Sequence, residues 1–144
     1  MDLKVKLTDG AELPRHAKEG DAGLDLTSRD TVTLCAGDTK MVGTGVAIEL
    51  PKGYVGLVFP RSGLGSRGVN LSNCVGVIDS GYRGEIKAPL HNNTRDRDMT
   101  IERGDRVCQL VVVPFESCNC IEVEDLSDSV RGDGGFGSTG VSGS

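Results

Sequence analysis

Two aspartates and three glycine-rich segments carry the residue types that phosphate chemistry uses. The segments are Pro60-Arg61-Ser62-Gly63-Leu64-Gly65-Ser66, Gly76-Val77-Ile78-Asp79-Ser80-Gly81-Tyr82-Arg83-Gly84 and Arg131-Gly132-Asp133-Gly134-Gly135-Phe136-Gly137-Ser138-Thr139-Gly140. Glycine lets backbone amides close on an anion, and successive N–H groups form a concave nest. Arginine adds charge-assisted donors and serine adds neutral ones. A single segment of this kind also reads as an ordinary surface turn. Two segments that combine Arg, Ser and several Gly put an anion site on an equal footing with turns. Asp79, and Asp25 within Asp21-Ala22-Gly23-Leu24-Asp25-Leu26, are the acid–base candidates, although aspartate beside glycine also forms turns.

Other chemistries fall away. Gly63-Leu64-Gly65-Ser66-Arg67-Gly68 and Gly135-Phe136-Gly137-Ser138-Thr139-Gly140 both satisfy G-x-G-x-x-G. Neither opens a long amphipathic helix, so the dinucleotide-binding reading fails. No G-x-x-x-x-G-K-[ST] loop exists. His16 and His91 are the two histidines, too few for a metal centre without carboxylates, and they receive no role. Five cysteines, at 35, 74, 108, 118 and 120, are an odd count without a leader sequence. They read as reduced thiols in small, buried apolar positions.

The elements that must position these residues are strands. The chain has 144 residues, one domain's worth, with 21 glycines and a formal charge of −5. A net acidic chain is a poor non-specific partner for nucleic acid, whose affinity comes from neutralised phosphates. No apolar run approaches the ~20 residues of a membrane span. The N-terminal residues lack a signal-peptide core, so a cytoplasmic location is expected. Apolar residues alternate at Leu3, Val5 and Leu7 and at Val32 and Leu34. Residues 45–50 and 54–59 flank Pro51-Lys52-Gly53, which predicts a hairpin. Strands are expected around 75–77 and 85–90, about a turn at Asp79-Ser80-Gly81. A run at 107–113 reads as a strand buried on both faces, and Ile121 with Val123 as one more. One short helix is expected at 67–71. From residue 127 the composition turns to Ser, Gly, Asp and Thr. Such a segment cannot offset its own ordering entropy alone. The reading is a β body over 1–126 and a flexible C-terminal arm over 127–144, within an all-β sandwich, jelly roll or barrel.

Taken in order, five segments resemble the motifs of the homotrimeric dUTP pyrophosphatases (dUTPases): residues 21–26, 60–66, 76–85, Arg103-Gly104-Asp105-Arg106-Val107-Cys108-Gln109-Leu110, and 131–140. The resemblance implies a jelly-roll-like β subunit and a homotrimer. Its C-terminal arm is exchanged between subunits, and each site is built from three chains. It implies Mg²⁺-assisted hydrolysis of dUTP to dUMP and pyrophosphate, with no nucleic-acid or membrane partner. Carried over, main-chain groups of Val77, Ile78 and Asp79 hold uracil, helped by Asn73. Tyr82 packs under the deoxyribose and excludes a ribose 2′-hydroxyl. Asp79 contacts the 3′-hydroxyl and aims the attacking water, and Lys87 contacts substrate. Arg61, Ser62, Gly63, Ser66 and Gln109 cradle the phosphates, with Arg61 also supporting catalysis. Asp25 touches Mg²⁺ through water. Phe136 stacks on uracil, with Gly137 beside it, and Arg131 and Ser138 reach the γ-phosphate. Ser80 departs from the family, which commonly has an acidic residue there, and is expected to face solvent.

Two rival readings fit the residues less well. The dCTP deaminases share the fold but place a Glu in a Thr-Leu-Glu setting, which Glu85-Ile86-Lys87 does not match. A silent nucleotide sensor is disfavoured by the complete set Arg61, Asp79, Gln109, Arg131 and Phe136.

Overall fold

The computed structural model describes residues 1–8 and 10–137. Along the chain it runs β1 (Lys4–Leu7), β2 (Leu24–Thr27), β3 (Val32–Leu34), β4 (Thr39–Gly43), β5 (Val46–Glu49) and β6 (Tyr54–Phe59). After the helix α1 (Ser62–Ser66) come β7 (Val69–Leu71), β8 (Gly76–Ile78), β9 (Lys87–Asn92), β10 (Met99–Ile101) and β11 (Arg106–Pro114). The order β2-β11-β6-β8 makes one sheet and β4-β9-β7 another, with β1-β5 and β10-β3 as two-stranded ribbons. All named pairs are antiparallel.

These pieces close over a single core. Leu26, Val58 and Leu110 come from the first sheet, Val42, Ala88 and Leu90 from the second, and Leu34, Ile101, Val46 and Ile48 from the ribbons. Each fully buried aliphatic side chain stabilises by about 1.5–3 kcal/mol. The fold is an all-β sandwich of the jelly-roll kind, as the alternation predicts.

Connectivity departs from the sequence reading in several places. Pro51-Lys52-Gly53 does turn, with Gly53 at φ +86°. Yet the strands it joins are not partners: β5 pairs with β1, whereas β6 pairs with β11 and β8. Leu50 is buried just before the turn, so the chain folds over the core from one layer to the other. The same holds around Asp79-Ser80-Gly81. Strand β8 lies on β6 and β9 lies between β4 and β7, so residues 79–86 cross between sheets rather than close a paired hairpin.

The helix comes earlier than expected, at Ser62–Ser66, and Val69–Leu71 is a strand. Gly68, at φ +90°, ends the helical path, and the alternating burial of Val69 and Leu71 then favours a strand. Ile121 and Val123 form no strand and are exposed. Along β11, residues 111–113 are only half-buried, so the strand is not covered on both faces throughout. Cys35, Cys74, Cys118 and Cys120 are exposed, against the expectation of buried thiols. Beyond Pro114 the described residues up to 137 form no helix or strand, and Leu126, Val130 and Phe136 stand open to solvent.

Cys108 alone is buried, and burial pushes its thiol up to about 12 from the usual 9.0. A thiol raised on folding contributes stability that is complete below pH 9 and lost as pH climbs toward 12. The expected slope is about 1.4 kcal/mol per pH unit across that window. Urea midpoints of the wild type and Cys108→Ala, measured from pH 8 to 11, should converge as pH rises. Parallel profiles would remove Cys108 as the cause.

Candidate active site

One row of side chains founds the first half of the site. Register places Asp25 of β2, Gln109 of β11 and Phe59 of β6 side by side. Residues in one row share a sheet face. The Asp25 amide donates to the Arg15 carbonyl at 2.8 Å, which fixes the strand edge beneath the carboxylate. Just past β6 the chain runs extended through Arg61 into α1. The Arg61 guanidinium meets Asp25 Oδ1, and Arg106 Nη1 lies 3.6 Å from Asp25 Oδ2. Burial, and then the charge of Arg106, push the Arg61 guanidinium below its ordinary range.

Gln109 Nε2 donates to the Pro60 carbonyl at 3.0 Å. A Cβ at Gly23 would overlap the Gln109 amide oxygen, so the glycine there makes room for it. Ser62 opens α1, and a Cβ at Gly63 would meet open space, so no packing demand of this chain requires that glycine. Ser66 Oγ donates back to the Gly63 carbonyl at 3.0 Å, a bond that tightens the turn. Arg61, Ser62, Gln109, Asp25 and Gly23 line a recess of about 430 Å³.

The second half sits elsewhere. Strand β8 ends its sheet, so its outer backbone edge has no strand partner. Val77, Ile78, Asp79, Tyr82 and Lys87 line a recess of about 260 Å³ together with Met41. The loop is clipped by its own bonds. Tyr82 N–H donates to the Asp79 carbonyl at 3.0 Å, and Tyr82 Oη donates to the Glu85 carbonyl at 2.9 Å. Arg83 Nη1 donates to the Ser80 carbonyl at 2.6 Å while Nη2 reaches Glu49 at 3.3 Å. A Cβ at Gly84 would stand 2.6 Å from Tyr82 Cζ, so only glycine lets the ring lie there. Ser80 is half-buried rather than solvent-facing. Asn73 flanks β8, its amide nitrogen 3.6 Å from where a Cβ of Gly76 would stand, beside Val58.

Among the described residues the two recesses share none. Arg131 Nε donates to the Gly134 carbonyl at 2.6 Å, within its own loop. Phe136 is left-handed at φ +48°, is followed by Gly137 at φ +89°, and lines neither recess. Ser138 lies outside the described residues. The sequence reading missed the pairing of Asp25 with Arg61, the role of Met41 as a wall, and Arg106. Arg106 left a trace: Val107 and Cys108 are two core-type residues in succession, which breaks alternation.

Among the described residues no three His, Cys, Asp or Glu side chains gather. Asp21 and Asp25 both line the first recess. Both Asp25 oxygens already face guanidiniums. This donor set fits Mg²⁺ carried in by phosphates and touched through water, which suits an ion that keeps its hydration shell.

A family model for dUTPase matches residues 9–140. The deoxyuridine 5′-triphosphate nucleotidohydrolase of Cutibacterium acnes is 52 % identical over 131 residues, covering 90 % of this chain and 86 % of that one. The chain belongs to the dUTPase family. The Thermobifida fusca member is 48 % identical, covering 94 % of this chain and 76 % of its own. Among solved structures, the dUTPase of Staphylococcus bacteriophage 80alpha with dUpNHpp matches at TM-score 0.91 and 33 % identity, covering 97 % and 99 % of the two chains. A mutant dUTPase from phage phi11 of S. aureus, solved with a structural Mg(II) ion, matches at TM-score 0.81 and 29 % identity, covering 89 % of this chain and all of its own.

The Asp25 side chain is 13 % exposed and that of Arg61 25 %. Removing a partner from a mostly buried pair strands a charge. Asp25→Ala is therefore expected to cost about 2 kcal/mol, read as a lowered urea midpoint. An unchanged midpoint would show that the pair contributes nothing to folding.

Proposed function

We propose that the chain hydrolyses dUTP to dUMP and pyrophosphate as a homotrimer whose sites draw on all three copies. The observation that carries this is the separation of the two recesses: one has the exposed strand edge of β8 and the Tyr82 ring, the other has the Arg61 guanidinium, the Gln109 amide and the Ser62 hydroxyl. Neither alone brings a base-facing strand edge and the Arg61 cation together. Neighbouring copies that face them together would complete one site. The exposed apolar side chains at Val77 and Phe115 agree with surfaces meant to be covered.

In this reading uracil pairs with backbone groups of Val77, Ile78 and Asp79, helped by Asn73. The close loop leaves no room for a C5 methyl. Fixed donors and acceptors reject cytosine, because mismatched buried polar groups stay unpaired. Tyr82 lies under the deoxyribose and blocks a 2′-hydroxyl, and Lys87 lends a cation at the rim. Asp79 aims a water in line with the α-phosphorus and accepts its proton. A free aspartate is a weak base at pH 7, so placement does more than basicity. Arg61, Ser62, Gly63, Ser66 and Gln109 hold the phosphates and stabilise the charge that develops on them. Bound Mg²⁺, reached by Asp25 through water, would neutralise phosphate charge. Residues 127–144 act as an arm on the body at 1–126. From it Phe136 stacks on uracil beside Gly137, and Arg131 and Ser138 reach the γ-phosphate while water is excluded. The activity would keep uracil out of DNA and supply dUMP.

A steady-state comparison of dUTP, dTTP, dCTP and UTP, with oligomer mass taken on the same sample, tests this. Only dUTP should turn over well, and the mass should be three chains. Ammonia released from dCTP would instead mark a deaminase. Asp79→Asn should lower kcat at least about a hundredfold with dUTP binding kept. Turnover near wild type would remove Asp79 from the mechanism. Truncation before Arg131 should leave a folded body without activity. Full turnover by that variant would end the closing-arm proposal.

A further inference from the structure

We infer that Arg106 is a positioning residue of the phosphate recess: it braces Asp25, and through Asp25 it sets the direction and the free charge of Arg61. The inference rests on the functional reading above and deepens it. Plain alternation along β11 would put Gln109 and Val107 on one face and Arg106 on the other. The register against β2 shifts between Arg106 and Cys108, where Arg106 faces Thr27 and Cys108 faces Leu26. A bulge of this kind adds a residue to one strand and re-aims its neighbours. Val107 and Cys108 consequently both point into the core, at 1 % and 0 % exposed. Arg106 emerges on the face of Asp25 and Gln109.

Each Asp25 oxygen then meets a different guanidinium, one from β11 and one from the loop before α1. The carboxylate cannot rotate without releasing one of them. Charge leads to the same conclusion. Arg61, Arg106 and Asp25 together carry one net positive charge, while Asp21 on the same recess accepts from the Lys18 amide. Without Arg106, Asp25 would neutralise Arg61 outright. Arg106 itself lines an adjoining recess with Arg15, His16 and Thr27, and Asp25 forms the wall between that recess and the one holding Arg61 and Ser62. Its place is behind the carboxylate, not on the phosphates.

The test is a double-mutant cycle of Arg106→Gln and Asp25→Asn, read in kcat/KM for dUTP and in equilibrium binding of dUpNHpp, with binding of dUMP, which lacks the two outer phosphates, as the control. Arg106→Gln should lower kcat/KM for dUTP and dUpNHpp affinity about tenfold, and leave dUMP binding within about twofold. In the Asp25→Asn background it should cost less than about twofold further, and Arg106→Lys should recover to within about threefold of wild type. A full loss repeated in that background, equal weakening of dUMP and dUpNHpp, or no loss at all would overturn the inference. Should Arg106→Gln fail to fold, Arg106→Lys carries the same cycle. Its loss of about threefold must then vanish in the Asp25→Asn background. A wild-type chain that binds dUpNHpp without turning over dUTP would sink the functional reading, while the binding cycle would still decide Arg106.

Discussion

The backbone ladder of β11 underlies everything else in the molecule. It is the longest strand, nine residues, and hydrogen-bonds to a neighbour on each edge. A buried backbone polar group left unpaired is costly, so this double pairing holds β11 in one register. Through that register Asp25, Gln109 and Phe59 come into one row although 84 positions separate the first two in sequence. The core below and the recess above are the two faces of the same ladder. Leu110 points into one, and Gln109 points into the other.

The composition of the site was more legible than its geometry. Glycine-rich loops with Arg61, Ser62, Asp79 and Tyr82 announce themselves by residue type, and the all-β class follows from alternation. Pairing partners were harder to read. The turns at Pro51-Lys52-Gly53 and Asp79-Ser80-Gly81 are real, yet each joins different layers. A turn signal is local, whereas the choice of partner is settled by distant strands competing for the same edge. Helix α1 was misplaced because five residues carry no periodicity to detect. The Asp25–Arg61 contact spans 36 positions, and no local pattern encodes it. The bulge at Val107-Cys108 went unread, because the apolar run at 107–113 reads as a strand buried on both faces.

Glycine does two distinct jobs in the site. At Gly23 and Gly84 it leaves volume that Gln109 and Tyr82 occupy, so the chain's own packing explains the absent side chain. At Gly63 and Gly81 nothing among the described residues lies close. Those positions are open to the proposed phosphates and to a neighbouring copy.

The separation of the two recesses has a genetic meaning. An injury to the carboxylate at residue 79 leaves the Arg61 hollow of the same polypeptide chemically whole, and an injury at Arg61 leaves the Tyr82 hollow whole. Two differently damaged alleles expressed in one cell therefore hold, between them, every group that the proposed catalytic unit uses. Co-assembly could restore some working centres that neither gene product can form by itself.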